Sequence, residues 1–137
     1  AILQEKGVMA QVDGFTALSG GDLPPAKGPY SPAVAWNGLV FVSGLLAVKE
    51  DGSGMKGDVR EEAMVVLRNL ERILRSAGSG LGMVLAVTVF LADVEELPAF
   101  NEVYEEFFQP PYPARSAVGV SLPGDHRVEL AAVAYRA

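Results

Sequence analysis

At 137 residues, half of them hydrophobic and a fifth charged, the chain is sized and balanced for one folded domain around a single core. Eleven basic against seventeen acidic residues leave a formal net charge of −6, which argues against the basic face on which nucleic-acid binding rests. The absence of cysteine excludes a disulfide scaffold, a thiolate zinc site and a cysteine nucleophile, and no apolar run approaches the ~20 residues of a membrane-spanning helix.

In chain order, residues 1–14 read as an N-terminal extension, poorly ordered or left over from a leader or from expression, and residues 15–137 as the domain. The start lacks the basic-then-apolar pattern of a secretory signal, so the cytoplasm is the expected location. Phe15–Leu18 is a short strand. Ser19 to Pro32 is rich in glycine and proline and reads as an ordered loop. Asn37-Gly38, the strongest short hairpin signal, joins strands at Ala33–Trp36 and residues 39–43, and a second turn follows at residues 50–54. Asp58 with Glu61 three residues on forms a capping box. The helix it opens carries Ala63, Leu67, Leu70, Leu74 and Ala77 on one stripe and stops at Gly78. Val84–Leu91, apolar throughout, is a buried central strand. A second helix begins with Pro98 at its first position and runs to about residue 108, with Phe100, Val103, Tyr104 and Phe107 as its apolar stripe. Pro110-Pro111 stop it, and strands at residues 115–120 and 127–135 close the chain.

This order, β-β-β-α-β-α-β-β, describes an α+β domain. Right-handed crossovers place both helices on one face of a mixed sheet. On the central strand, alternation sets Val84, Ala86, Thr88 and Phe90 against Leu85, Val87, Val89 and Leu91, so both faces are apolar. The uncovered face exceeds what soluble monomers expose, and the expectation is that other copies of the chain bury it.

Three residues invite chemistry. Arg115 at the start of its strand is either a guanidinium fork for a carboxylate or an ordinary arginine snorkelling at a strand end. Glu129 interrupts an apolar strand, on the side of Ala131, Val133 and Tyr135. It is either an acid–base group on a covered face or a solvated edge acid. His126, the sole histidine, lies in a turn; with no serine motif, second histidine or cysteine beside it, neither a triad nor a metal site follows. Gly52-Ser53-Gly54 resembles a phosphate loop only in composition.

Several stretches then resemble one family in order and spacing. Gly28-Pro29-Tyr30-Ser31-Pro32-Ala33-Val34, Phe41-Val42-Ser43-Gly44, Gly57-Asp58, Val89-Phe90-Leu91-Ala92-Asp93, Phe100-Asn101-Glu102-Val103-Tyr104, Pro113-Ala114-Arg115-Ser116 and Val128-Glu129-Leu130 are similar to signatures of the Rid (YjgF) family of reactive-intermediate deaminases, across residues 15 to 137. The resemblance implies a chorismate-mutase-like fold in a homotrimeric barrel with clefts between subunits. It also implies hydrolysis of 2-aminoacrylate or 2-iminopropanoate without cofactor or metal. By position, Arg115 would bind the substrate carboxylate, helped by the amides of Gly44 and Ala117. Glu129 would position or activate water, while Tyr30, Ser43 and Asn101 would line the cleft. The expected partners are a small imino or keto acid and two further copies of the chain, with no nucleic acid and no membrane. Leu45, Ala47, Ala117 and Ala131 depart from the family pattern, Leu45 making the cleft more apolar. They keep a rival open, a trimeric carboxylate-binding or chaperone-like protein with little catalysis. Ribonuclease activity, ascribed to family members, is disfavoured by the acidic charge and the lack of a basic groove.

Overall fold

The computed structural model describes residues 8–12 as backbone, and residues 14–20 and 23–137 in full. The expectations for residues 1–7, position 13 and Gly21 lie outside the described residues. Among the described residues nine main elements follow one another: β1 (Val8–Val12), β2 (Phe15–Leu18), β3 (Ala33–Trp36), β4 (Leu39–Leu46), α1 (Val59–Ser76), β5 (Val84–Leu91), α2 (Leu97–Phe107), β6 (Ala114–Gly119) and β7 (Val128–Tyr135). They build one sheet in the order β1-β2-β3-β4-β7-β5-β6, antiparallel except between β5 and β6. The fold is the expected mixed α+β type, with one strand more than the sequence suggested. β1 pairs with β2, Val12 opposite Phe15.

Local chemistry sets the other elements where expected. Asn37 (φ 51°) and Gly38 (φ 76°) both take left-handed backbone, whose twist matches that of the paired strands, so Trp36 lies opposite Leu39. The Asp58 carboxylate accepts from Glu61 N at 2.9 Å and the Glu61 carboxylate accepts from Asp58 N at 3.1 Å, which completes the capping box. α1 ends in a Schellman motif: Ser79 N donates to Leu74 O and Gly78 N to Arg75 O, with Gly78 at φ 80°. Both helices lie on one face of the sheet. α1 packs against β4, β7 and α2, burying Val66, Leu67, Leu70, Ile73 and Leu74 completely. Each of those side chains contributes roughly 1.5–3 kcal/mol by leaving water.

Two bulges change which residues look inward. In β4, Val42 pairs with Ala132 and Leu45 with Leu130, so Ser43 and Gly44 together oppose Ala131. Val42 and Leu45 both enter the core as a result, and Gly44 is presented on the other face. In β5 the register shifts between Val84 and Ala86. Val84 therefore joins Val87, Val89 and Leu91 in the core while Leu85 is 45% exposed, the reverse of simple alternation for those two residues.

The face away from the helices is apolar and bare. Trp36 and Tyr135 flank Leu39 across three strands, and Phe41 lies between Val34 and Val133. Phe15, Trp36, Phe41 and Tyr135 are each more than a third exposed.

Candidate active site

The expected site residues fall into two groups. The first surrounds the β4 bulge. Ser43 N donates to Pro32 O at 3.0 Å and its hydroxyl donates to Ser31 O at 2.6 Å, which moors the Gly28–Pro32 loop to β4. Ser43 thus spends its proton on positioning that loop, whose Tyr30 is half exposed. Gly44 sits directly under Glu129. A Cβ at position 44 would lie 2.6 Å from Glu129 Oε2 and 3.1 Å from its Cδ. Gly44 does not take a positive φ, so glycine is required there for space. The Glu129 side chain has no hydrogen-bond or ion-pair partner among the described residues of its own copy.

The second group is built on β6 and α2. Arg115 Nη1 donates to Asn101 Oδ1 at 2.8 Å, and its guanidinium carbon lies 4.8 Å from the centre of the Tyr104 ring. One bond and one stacking contact fix the plane of the fork while leaving further N–H donors for a ligand. The side chain is exposed, so the fixed orientation comes from these two contacts. Burial pushes the Tyr104 phenol above its ordinary value of 10.0, with Arg115 pulling weakly the other way, so the ring stays neutral beneath the cation. Ala117, half-buried, follows on the same side of β6, opposite Val89.

These groups lie on opposite sides of the sheet. Arg115 and Ala117 pair with Val87 and Val89, both core-facing, whereas Glu129 pairs with Phe90 and faces the bare side. The structure therefore sets Gly44 against Glu129, with Tyr30 and Ser43 lining the cleft beside Gly44, and separately brings together Asn101, Arg115 and Ala117. One copy of the chain does not bring the arginine and the carboxylate to a single small molecule.

Sequence reasoning missed two features here. Glu62, fully buried on α1, accepts from Arg127 N at 2.9 Å and Val128 N at 3.4 Å, fixing the entry of β7 immediately before Glu129. An acid between Val59 and Val66 on the apolar stripe of α1 was the available signal. His126, in its expected turn, is only 13% exposed and has Nδ1 3.5 Å from Glu62 Oε1. The second feature is a cleft of about 660 Å³ beside Gly44, bounded by the loop from Leu23 to Pro32, the turn after β4, and α1. Leu45, 8% exposed, borders it but belongs chiefly to the core. Among the described residues no group of three or more metal-ligating side chains occurs and no helix is long and apolar enough to cross a membrane.

A two-layer α+β domain with a bare sheet face and a guanidinium at the parallel edge defines a class whose members the comparisons identify. Residues 21–136 match the family model described as endoribonuclease L-PSP, and the chain belongs to that family, the Rid (YjgF) group of the sequence resemblance. A RutC family protein of Pyrococcus abyssi is 42% identical over 115 residues, 82% of this chain and 91% of that one. The 2-iminobutanoate/2-iminopropanoate deaminase of Capra hircus is 40% identical over 121 residues, 87% of this chain and 88% of that one. The crystal structure of E. coli TdcF with bound serine has a TM-score of 0.79 and 37% identity, covering 85% of this chain and 94% of that one.

Proposed function

We propose that the protein is a hydrolytic deaminase of 2-imino and 2-enamino acids, working without cofactor at sites completed between the copies of a homotrimer. The observation that carries the reading is the oriented Arg115 fork, held by Asn101 and Tyr104 with donors to spare. Relatives named for 2-iminobutanoate and 2-iminopropanoate deamination, and a neighbour that binds serine, support a small carboxylate as its ligand. The bare face with Trp36, Phe41 and Tyr135 supports assembly. Its closure would set Arg115 of one copy facing Glu129 of the next.

In such a site Arg115 binds the carboxylate through two parallel hydrogen bonds and orients the C=N bond. An enamine first tautomerises to the imine by taking a proton at C3, and with the imine nitrogen protonated C2 is already electrophilic. Glu129 accepts a proton from water as the oxygen adds to C2, then returns it to the amine nitrogen. The C–N bond breaks, ammonia leaves, and the hydroxyl proton is lost as the 2-oxo acid forms. Neither a nucleophilic side chain nor a metal enters this sequence.

The test generates 2-iminopropanoate from alanine with an amino-acid oxidase and follows ammonia release with and without the protein. Acceleration above spontaneous hydrolysis is expected. An unchanged rate, with pyruvate still binding, would replace the enzyme by a carboxylate-binding protein.

A further inference from the structure

The cleft beside Gly44 has the wrong charge for this chain and the wrong size for a three-carbon substrate. Acids outnumber bases by six overall, yet among the described residues Lys27, Lys49 and Arg72 border the cleft against one acid, Glu50. The local field is thus inverted, and anions are drawn to it. Its volume of about 660 Å³ falls in the range of sites for much larger ligands, roughly 300–1,000 Å³.

The three cations have donors to spare. Lys27 Nζ spans the cleft mouth to Gly52 O at 3.1 Å, using one of its three protons. Arg72, two-thirds buried, holds Glu50 at 3.1 Å, but that carboxylate is 81% exposed and such a pair is weak and readily exchanged. Lys49 has Asp51 for a neighbour. The Ser53 hydroxyl and amide both donate to Asp51 Oδ1, at 2.6 and 2.9 Å, and they hold its carboxyl below the ordinary value more than Lys49 does. Pro24, Leu46 and Ile73 line the wall between, a surface for a methylene stem. Gly44 and Lys49 are five residues apart, at most about 16 Å of extended chain, and the lysine side chain shortens that gap.

We propose that this cleft is the side-chain pocket of the site, selecting 2-imino acids that carry a second anionic group on an apolar stem, the distal anion lying among Lys27, Lys49 and Arg72. The proposal rests on the deaminase reading for the reacting end and adds the class of side chain.

The probes are 2-oxoadipate and 2-oxohexanoate, product-like acids of equal length that differ in the charge of the far terminus. Calorimetric titration of the full assembled protein at low salt should give 2-oxoadipate about tenfold the affinity of 2-oxohexanoate, the worth of one charge-assisted contact. Lys49→Gln and Arg72→Gln should each narrow the ratio to about threefold or less. Glu50→Gln, which releases Arg72, should widen it, a gain that structural damage would not produce. Equal affinities, a preference for 2-oxohexanoate, no binding of either probe, or a ratio that all three variants leave unmoved would each overturn the proposal. Turnover of 2-iminopropanoate, measured on the same samples, separates the two readings. Turnover without charge preference removes the pocket assignment alone, and charge preference without turnover removes the deaminase alone.

Discussion

Replacing Gly44 by alanine adds one methyl group where the Glu129 carboxylate now lies. The new Cβ would meet Oε2 at 2.6 Å, against ordinary contact at 3.4 Å or more, so the carboxylate must retreat by about 0.8 Å. The backbone has no reason to move, because Gly44 does not use a left-handed conformation and the obstructing atoms belong to a flexible side chain. Driving Glu129 off its rotamer costs about 0.5–1.5 kcal/mol, a fall of roughly 3–6 °C in the unfolding midpoint at most. The rate should suffer far more, since a displacement near 1 Å in a catalytic group costs about 10²-fold. Ammonia release from 2-iminopropanoate should therefore drop about a hundredfold in kcat/KM while thermal scans stay close to the parent. The double variant Gly44→Ala/Glu129→Gln should be no slower than Glu129→Gln alone, because both changes remove one function. Multiplicative losses in the double variant would show that position 44 acts other than through Glu129, and a Gly44→Ala protein as fast as the parent would show that the placing of the carboxylate over Gly44 plays no part in the reaction.

Arg115→Ala should abolish measurable turnover with the fold intact, and Arg115→Lys should keep only a small remnant, since an ammonium cannot reproduce the fork; steady-state kinetics beside circular dichroism will show either result. Phe41→Asp or Val133→Asp, on the bare face, should leave folded single chains in sedimentation experiments. Val87→Asp and Val89→Asp, on the core face, should instead unfold the protein, because an unpaired buried carboxylate costs several kcal/mol. Asp58→Ala removes a cap that accepts from Glu61 N and should lower unfolding stability by about 1 kcal/mol in denaturant titration.

The elements legible in the sequence were those fixed by local chemistry. Asn37-Gly38, the Asp58–Glu61 box and the stop at Gly78 each satisfy backbone groups within a few residues, so their signals survive without knowledge of the fold. β1 went unread because five residues carry little periodic signal. The bulges in β4 and β5 were illegible for a different reason. A bulge is a property of a pair of strands, and only the partner β7 shows that Ser43 and Gly44 share a single opposite residue. Within the candidate site, Arg115 and Asn101 were readable as separate residues from the family pattern. Their contact joins β6 to α2, and it emerges only when the parallel crossover is formed. Glu62 hid in plain view, since an acid within an apolar stripe asks for buried donors that lie 65 residues further along the chain.

The placement of Arg115 and Glu129 on opposite sides of the sheet has a genetic consequence. If every site takes its arginine from one chain and its carboxylate from the next, a chain lacking the first and a chain lacking the second are each dead alone yet complementary. Unfolded together and reassembled in equal amounts, they place an intact arginine against an intact carboxylate at about a quarter of the junctions of a closed ring. Two null alleles expressed in one cell would then restore part of the activity that neither supplies by itself.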